Sequence, residues 1–203
     1  MKKHLTQAAL NKQLIQMQTF NLIKTKHGIG QYYSPVNEDK MEQLYSHDYN
    51  SGLKLMEHSW LDNNFVKTVE NLLAPGQPWH KCKLTWAGDY GKQYDHLSKA
   101  KQIKPLESTH SYRYIINHDE KQYVDKHNVK GFRPSWAGSA DAEEEWKIHP
   151  LPLLTADGNG GGGGDFRGED PNELVGYWAG DSISVSDIKP EEDWEELIFD
   201  LVE

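Results

Sequence analysis

The sequence predicts an α+β fold, a single domain in which early helices pack on a mostly antiparallel sheet. Two observations predict it. Apolar residues recur at helical spacing in the first third of the chain, whereas short apolar segments bounded by turn residues dominate after residue 80. A length of 203 residues suits one domain, and a hydrophobic content of 36% is enough to form a core.

The first helix is predicted over residues 5–26, where apolar residues recur without any glycine or proline. Gly28 and Gly30 end it. We therefore predict an N-terminal helical extension over residues 1–27, followed by the α+β domain over residues 28–203.

A second helix is predicted over residues 60–73. Asp62 or Asn63 could cap its N-terminus, and the Ala74-Pro75-Gly76 sequence ends it. Helical spacing places five apolar residues on its inward face: Phe65, Val66, Val69, Leu72 and Leu73.

Strands are predicted in the remainder of the chain. The segments are residues 82–86, 112–117, 122–124, 182–185 and 197–202. The clearest signal is a hairpin in which the polar turn at residues 118–121 joins the second and third segments. Residues 148–154 are also predicted to be extended, but Pro150 and Pro152 restrict them to a sheet edge or a loop.

Charge is distributed unevenly along the chain. Residues 1–138 contain 19 lysines and arginines against 13 acidic residues, a net charge of +6, whereas residues 139–203 contain 3 against 18, a net charge of −15. Such asymmetry indicates either a partner-binding surface or an acidic segment that folds back on a basic one. The total of −9 argues against direct nucleic-acid binding, because the summed field repels phosphate.

The cysteine count and the hydropathy pattern indicate a cytoplasmic protein. Cys82 is the single cysteine, which excludes an internal disulfide and a cysteine-based zinc site. No apolar run approaches the roughly 20 residues that span a bilayer, and the basic N-terminus lacks the apolar core of a signal peptide. We therefore expect no membrane partner.

A glycine-rich loop occupies residues 158–164, between Asp157 and Asp165. Glycine lets the backbone approach a ligand closely, and consecutive amides can bind an anion. However, no Lys-Ser/Thr pair follows as in a P-loop, and the glycines do not open a helix as in a dinucleotide-binding motif. Two interpretations stay open: a flexible loop between strands, or a ligand-binding loop that uses Asp165 and Arg167.

Histidines and carboxylates provide the candidates for catalytic chemistry. The candidate set is His47, Glu57, His58, Asp89, His149 and Asp165. Gathered in one pocket, these side chains could hold a divalent metal that activates water for phosphoester hydrolysis. Their spacing matches no established metal motif, so structural hydrogen bonding or helix capping is the competing interpretation.

The acidic C-terminal segment over residues 187–203 contains a tryptophan among carboxylates. Trp194 lies close to Glu191 and Glu192. Because aromatic side chains with nearby charges are typical of protein contacts, these three residues are candidates for partner binding. The alternative is that Trp194 packs against the basic part of the chain.

Several longer strings carry a family resemblance. They are Gly30-Gln31-Tyr32-Tyr33, Ser46-His47-Asp48-Tyr49, Leu53-Lys54-Leu55-Met56-Glu57-His58-Ser59-Trp60, Trp86-Ala87-Gly88-Asp89-Tyr90, Tyr114-Ile115-Ile116-Asn117-His118, Ile148-His149-Pro150-Leu151-Pro152-Leu153-Leu154 and Trp178-Ala179-Gly180-Asp181-Ser182-Ile183-Ser184-Val185. Together they resemble an uncharacterised family of small proteins from bacteriophages and bacteria. The resemblance implies a mobile-element context and no particular activity.

The leading functional hypothesis is a phage or mobile-element accessory protein that binds a host or defence protein, or a small ligand, in the host cytosol. It requires no cofactor, and the lack of a catalytic signature favours it over an enzyme. The alternative is a metal-dependent hydrolase of phosphoesters, which requires a divalent metal at the candidate set above. The sequence predicts no oligomeric state.

Overall fold

A computed structural model describes residues 30–133 and 145–202 of the chain. These residues form a mixed α/β structure with a large, mostly antiparallel sheet and few helices. The helix predicted over residues 5–26, and with it the extension over residues 1–27, lies outside the described residues.

The described part of the sheet has nine strands. They are β1 (Tyr33–Asn37), β2 (Glu42–Gln43), β3 (Cys82–Gly88), β4 (Lys101–Gln102), β5 (Tyr114–Asn117), β6 (Gln122–Asp125), β7 (Ala156–Asp157), β8 (Asp181–Ser186) and β9 (Glu195–Glu196). The strand order in the sheet is β4-β2-β1-β3-β8-β5-β6-β9, and the ninth strand, β7, pairs with β3 in addition to this series. All pairs among the longer strands are antiparallel, whereas the parallel pairs each involve a two-residue strand.

The helices are short except for one. They are α1 (Leu55–His58), α2 (Asn64–Leu73), α3 (Tyr94–Leu97) and α4 (Pro150–Leu154), with 3-10 turns at Ser46–Tyr49 and Lys126–Asn128. No helix of the described residues is both long enough and apolar enough to cross a membrane.

The helix predicted over residues 60–73 is confirmed as α2, which begins at Asn64. The side chain of Asn63 accepts hydrogen bonds from the backbone amides of Phe65 and Val66, so Asn63 is the N-cap. All five residues predicted on the inward face are buried. Pro75 follows the C-cap and prevents the helix from continuing.

The predicted hairpin is also confirmed. Strands β5 and β6 pair in antiparallel register from Tyr114 opposite Asp125 to Asn117 opposite Gln122. The side-chain oxygen of Asn117 accepts hydrogen bonds from two backbone amides of the turn, those of Asp119 (3.0 Å) and Glu120 (3.1 Å). This local capping fixes the turn and therefore the register.

Two strand predictions are wrong. Within residues 148–154, Pro150–Leu154 form helix α4 rather than an extended edge, because Pro150 occupies the first helical position, where its fixed φ favours a helix and its missing N–H is not needed. His149 caps this helix by accepting the amide of Leu151 at 3.1 Å. Residues 197–202 do not form a strand either, since only Glu195–Glu196 pairs with β6 and Val202 makes a single bridge.

The main core lies where α2 and α4 meet the sheet, and Trp79, Trp86 and Trp178 are wholly buried in the structure. Cys82 is buried, and alternation along β3 places it on the same face as Leu84. Burial and the nearby acidic side chains raise the pKa of the Cys82 thiol to about 12, so it is not a reactive nucleophile.

Candidate functional site

The glycine-rich loop closes on the carboxylate of Asp165, which is 3% exposed. The backbone amides of Gly160 and Gly162 donate to Asp165 Oδ2 at 2.8 and 2.9 Å, and the Tyr33 hydroxyl donates to Oδ1 at 3.2 Å. Burial raises the pKa of Asp165, and these hydrogen bonds oppose that rise. The loop amides therefore bind a carboxylate of the protein itself, that of Asp165.

Further side chains hold the glycine-rich loop in this conformation. Asn159 exchanges two hydrogen bonds with the backbone of Phe166, at 2.9 and 3.3 Å. Arg167, the other residue predicted for a ligand-binding loop, is exposed and donates to the carbonyl of Gly162 at 3.3 Å. In this structure both charged candidates of the loop therefore interact with the loop backbone.

His58, from the predicted metal set, has both ring nitrogens engaged. Nε2 accepts a hydrogen bond from Trp86 Nε1 at 2.8 Å, so the proton resides on Nδ1, which lies 2.9 Å from the carbonyl of Gly52. Complete burial lowers the pKa of His58 to about 4. The neutral ring thus joins the carbonyl of Gly52 to the indole of Trp86 on β3.

His149 is also buried among protein partners. Its Nδ1 accepts the amide of Leu151, and its Nε2 lies 3.2 Å from Glu70 Oε1, within ion-pair distance but outside hydrogen-bond geometry. Burial lowers the pKa of His149, and the opposing charge of Glu70 raises it in part.

The other candidates for metal binding lie apart. His47 is exposed and packs edge-on against Tyr45, Glu57 pairs with Lys54 at 3.5 Å, and Asp89 accepts the amide of Tyr32 at 3.1 Å. Across residues 30–133 and 145–202, no group of three or more His, Cys, Asp or Glu side chains is arranged to hold a metal ion.

The acidic C-terminal segment lies against the β5–β6 hairpin. Trp194 is half-buried, packs against the cluster of Tyr114, Ile116 and Tyr123, and meets the His118 ring at 5.4 Å. Lys121 pairs with Asp193 at 3.2 Å. The acidic segment thus folds back on the basic part of the chain, while Glu191 and Glu192 stay exposed beside this contact.

A cleft, which we call the aromatic cleft, is lined by the rings of Trp60, Tyr112 and Trp146. Trp60 and Trp146 meet edge-to-face with centroids 4.9 Å apart. Backbone bridges from Trp60 to Ile148 and from Trp146 to Phe132 fix this pair. The cleft has a volume of about 880 Å³, within the range of about 300–1,000 Å³ that is usual for ligand sites.

A buried ion pair adjoins the aromatic cleft, which Lys126 and Ser111 line. Lys126 Nζ donates to Glu70 Oε1 at 2.5 Å and to Ser111 Oγ at 2.9 Å, and Ser111 itself is exposed in the cleft. Burial lowers the pKa of Lys126, while the charge of Glu70 opposes this. Burial alone would raise the pKa of Glu70, but His149 and Lys126 bring it below its ordinary value.

Glu70 and Lys126 therefore form a charged pair beside the His149 ring, and Glu70 Oε2 has no hydrogen-bond partner among the described residues. Sequence reasoning missed this network. One local signal could have found it: Glu70 follows Val69 and lies one turn after Val66, on the inward face of α2, where a carboxylate requires a buried partner.

Comparisons of the chain with protein-family models, with curated proteins and with solved structures gave no match. The family resemblance of the longer strings stays a prediction, and the function has to be argued from the geometry of the molecule.

Proposed function

We propose that the protein acts by binding another protein, and that the aromatic cleft receives a segment of that partner. The observation that carries the proposal is the edge-to-face pair of Trp60 and Trp146 beside a cleft of about 880 Å³. Tryptophan, tyrosine and arginine are the residues that contribute most to protein interfaces, and Tyr112 and Arg113 line the same cleft.

The charges of the cleft favour a polypeptide over a ligand of one charge sign. Three cationic residues line it, Arg113, Lys126 and Lys147, and three acidic ones, Asp62, Glu145 and Asp187. A phosphate-rich ligand or a polyamine would meet as many repelling as attracting groups. A polypeptide presents backbone acceptors and side chains of both signs, which such a lining can match.

Part of the cleft lining is organised before any partner binds. Lys126 is fixed between Glu70 and Ser111, and the Ser111 hydroxyl, which accepts from Lys126, can still donate to an acceptor in the cleft. A backbone carbonyl of a bound segment is such an acceptor. Fixed donors lower the entropy that is lost on binding, which supports recognition at this position.

The proposal includes the context that the string resemblance implies. The partner is then a host or defence protein, and the site of action is the host cytosol. Glu191, Glu192 and Trp194 provide a second contact, because the two glutamates stay exposed beside the half-buried tryptophan ring. No observation in the described residues favours the alternative of a metal-dependent phosphoesterase, since His58 and His149 already have protein partners.

The test uses affinity-tagged protein to recover partners from bacterial lysate. Each recovered protein is then purified and titrated against the wild type and three variants. We expect Trp146→Ala to weaken a stoichiometric complex by about 2 kcal/mol, roughly 30-fold, and Lys147→Glu to weaken it by roughly tenfold. Leu106→Ala, which removes a side chain that is 92% exposed and lies outside the cleft, is the matched control and should bind as the wild type does.

Thermal unfolding of each variant separates loss of binding from loss of folding. The proposal fails if Trp146→Ala and Lys147→Glu fold normally and bind as tightly as Leu106→Ala. It also fails if no recovered protein forms a stoichiometric complex with the wild type.

A further inference from the structure

A second pocket lies beside strand β1, away from the aromatic cleft. Four tyrosines line it, Tyr32, Tyr33, Tyr45 and Tyr94, and Asp89 lies among them; we call it the tyrosine pocket. Its volume is about 340 Å³, at the lower end of the range of about 300–1,000 Å³ for small-molecule sites. It adjoins the small cluster of Val36, Ala87, Leu97 and Ala100 rather than the main core.

The alternation of the backbone at β1 places Tyr32 on the face of the pocket, whereas the ring of Tyr33 packs in the main core and its hydroxyl donates to Asp165. Tyr32, Ser34 and Val36 share one face, and Val36 packs against Leu97 of α3, whose first residue is Tyr94. Tyr32 and Tyr45 are 48% and 39% exposed, which is high for such large side chains. The pocket therefore keeps aromatic surface in contact with solvent.

Asp89 is fixed within this pocket by uncharged groups. Its Oδ2 accepts the backbone amide of Tyr32 at 3.1 Å, and the Tyr94 hydroxyl donates to the same carboxylate. Among the described residues that line the pocket, Asp89 alone is charged. No lysine or arginine of the lining compensates its negative charge.

Further carboxylates add to the negative potential. The pKa of Tyr33 is raised well above its ordinary value. Burial is the largest cause, followed by the charge of Asp165 and then by the charges of Asp157 and Asp89. The same charges that disfavour a tyrosinate favour a cation in the adjacent space.

The polar lining also disfavours anionic ligands, since its described residues include no cationic side chain. The amide groups of Gln43 and Gln102 already donate, to the carbonyl of Ala100 at 2.7 Å and to Asp48 Oδ2 at 2.8 Å. An anion would therefore meet the Asp89 carboxylate without a charged donor to compensate it. A cation with no hydrogen-bond donors of its own requires only a negative potential and polarisable surface.

We infer that the tyrosine pocket binds a small organic cation with a quaternary ammonium headgroup. Several aromatic rings with one carboxylate are the chemistry that recognises such a group, since the ring quadrupoles and the carboxylate both attract it and neither requires a donor. This inference does not rest on the proposed function, because it concerns different residues and a different class of ligand.

The test compares two ligands of the same shape. Choline carries the quaternary ammonium group, and 3,3-dimethylbutan-1-ol replaces its nitrogen with carbon and is neutral. In calorimetric or NMR titrations of the whole chain, we expect choline to bind with a dissociation constant of about 1 mM or below, and at least tenfold more tightly than the alcohol.

Three variants locate the site. Asp89→Asn and Tyr45→Leu should each weaken choline binding about fivefold or more, whereas Glu169→Gln, which removes an exposed carboxylate elsewhere, should not change it. Thermal unfolding shows whether each variant is folded. Because the two-ligand comparison uses the wild type alone, it remains decisive even if Asp89→Asn is unstable.

Three results overturn the inference. The first is equal binding of choline and its neutral analogue, or no binding of choline at about 50 mM. The second is choline binding that survives in folded Asp89→Asn and Tyr45→Leu. The third is a trimethyllysine peptide that binds at least about tenfold more tightly than choline, which would assign the pocket to a protein partner.

Discussion

The aromatic cleft and the tyrosine pocket differ in how their charges are compensated. In the cleft, the ammonium of Lys126 lies against the carboxylate of Glu70, and Arg113 makes a bidentate pair with Asp125. In the pocket, Asp89 is held by an amide and a hydroxyl, which carry no charge. A compensated pair supports the fold, whereas an uncompensated carboxylate leaves a potential that a ligand can use.

The largest effect is expected when compensation in the cleft is broken. Glu70→Ala leaves the ammonium of Lys126 buried without a counter-ion, so we expect the free energy of unfolding to fall by about 3–5 kcal/mol. Urea unfolding followed by circular dichroism measures it. The matched change in the pocket, Asp89→Asn, should cost about 1 kcal/mol or less, since the amide oxygen can still accept from the Tyr32 amide and no buried charge loses its counter-ion.

A double variant separates charge from packing. Glu70→Leu combined with Lys126→Met replaces the pair by apolar groups of similar size and should recover most of the lost stability. If Glu70→Ala lowers the free energy of unfolding by no more than Asp89→Asn does, charge compensation does not distinguish the two sites.

The parts of the fold that the sequence predicted correctly have local causes. The hairpin follows from strand alternation and a polar turn, and α2 follows from an asparagine cap and apolar spacing. The prediction of an extended segment at residues 148–154 is wrong because Pro150 and Pro152 are as compatible with the first turn of a helix as with a sheet edge. The competing local signal was the capping side chain of His149.

The aromatic cleft could not be predicted in the same way, because its parts are distant in sequence. Trp60, Ser111, Lys126 and Trp146 meet only after the sheet forms and residues 59–61 align with residues 147–149. A sequence identifies residue types with suitable chemistry, but it does not show which ones become neighbours. His58 and His149 illustrate the converse, since both were candidates for chemistry and both are hydrogen-bonded within the protein.

Besides a compensated charge and an uncompensated one, the protein also contains a buried ionisable group that stays neutral, His58. The dependence of stability on pH tests this assignment. The folded-state pKa of His58 is lowered from its ordinary 6.5 to about 4, so the unfolded chain binds a proton over this interval and the folded chain does not. Stability is therefore complete above pH 6.5 and falls as the pH drops towards 4, by about 3 kcal/mol from this residue.

Urea unfolding from pH 7 to pH 4 measures this effect. In His58→Gln the dependence on pH should be clearly flatter, although the variant is less stable at pH 7. The stability that Glu70 contributes has the same sign but is lost in a lower interval, since its pKa is lowered from 4.5. An unchanged slope between pH 6.5 and 4 in His58→Gln would contradict the assignment.

A smaller effect is expected in the glycine-rich loop that holds Asp165 behind the tyrosine pocket. Gly164 has φ of +83°, and a Cβ there would lie 2.2 Å from the Lys54 side chain, so Gly164→Ala should cost about 1–2 kcal/mol. Gly163→Ala is the matched control, because its Cβ would come no closer than 3.6 Å to another atom. Equal stability of the two variants in urea would show that the loop does not need this conformation.

The smallest effect is expected at the C-terminal segment, where the carboxylates are exposed and screened by salt. Trp194→Ala combined with Glu191→Lys and Glu192→Lys should weaken partner binding by about three- to fivefold at 50 mM salt, and less at 300 mM, because exposed charges act mainly through long-range attraction. Trp194→Ala alone separates the ring from the charges, since it leaves both glutamates in place. The contrary result is that the triple variant recovers the same partners with the same affinity at both salt concentrations. In that case Trp194, Glu191 and Glu192 do not take part in partner binding, and partner recognition lies in the aromatic cleft.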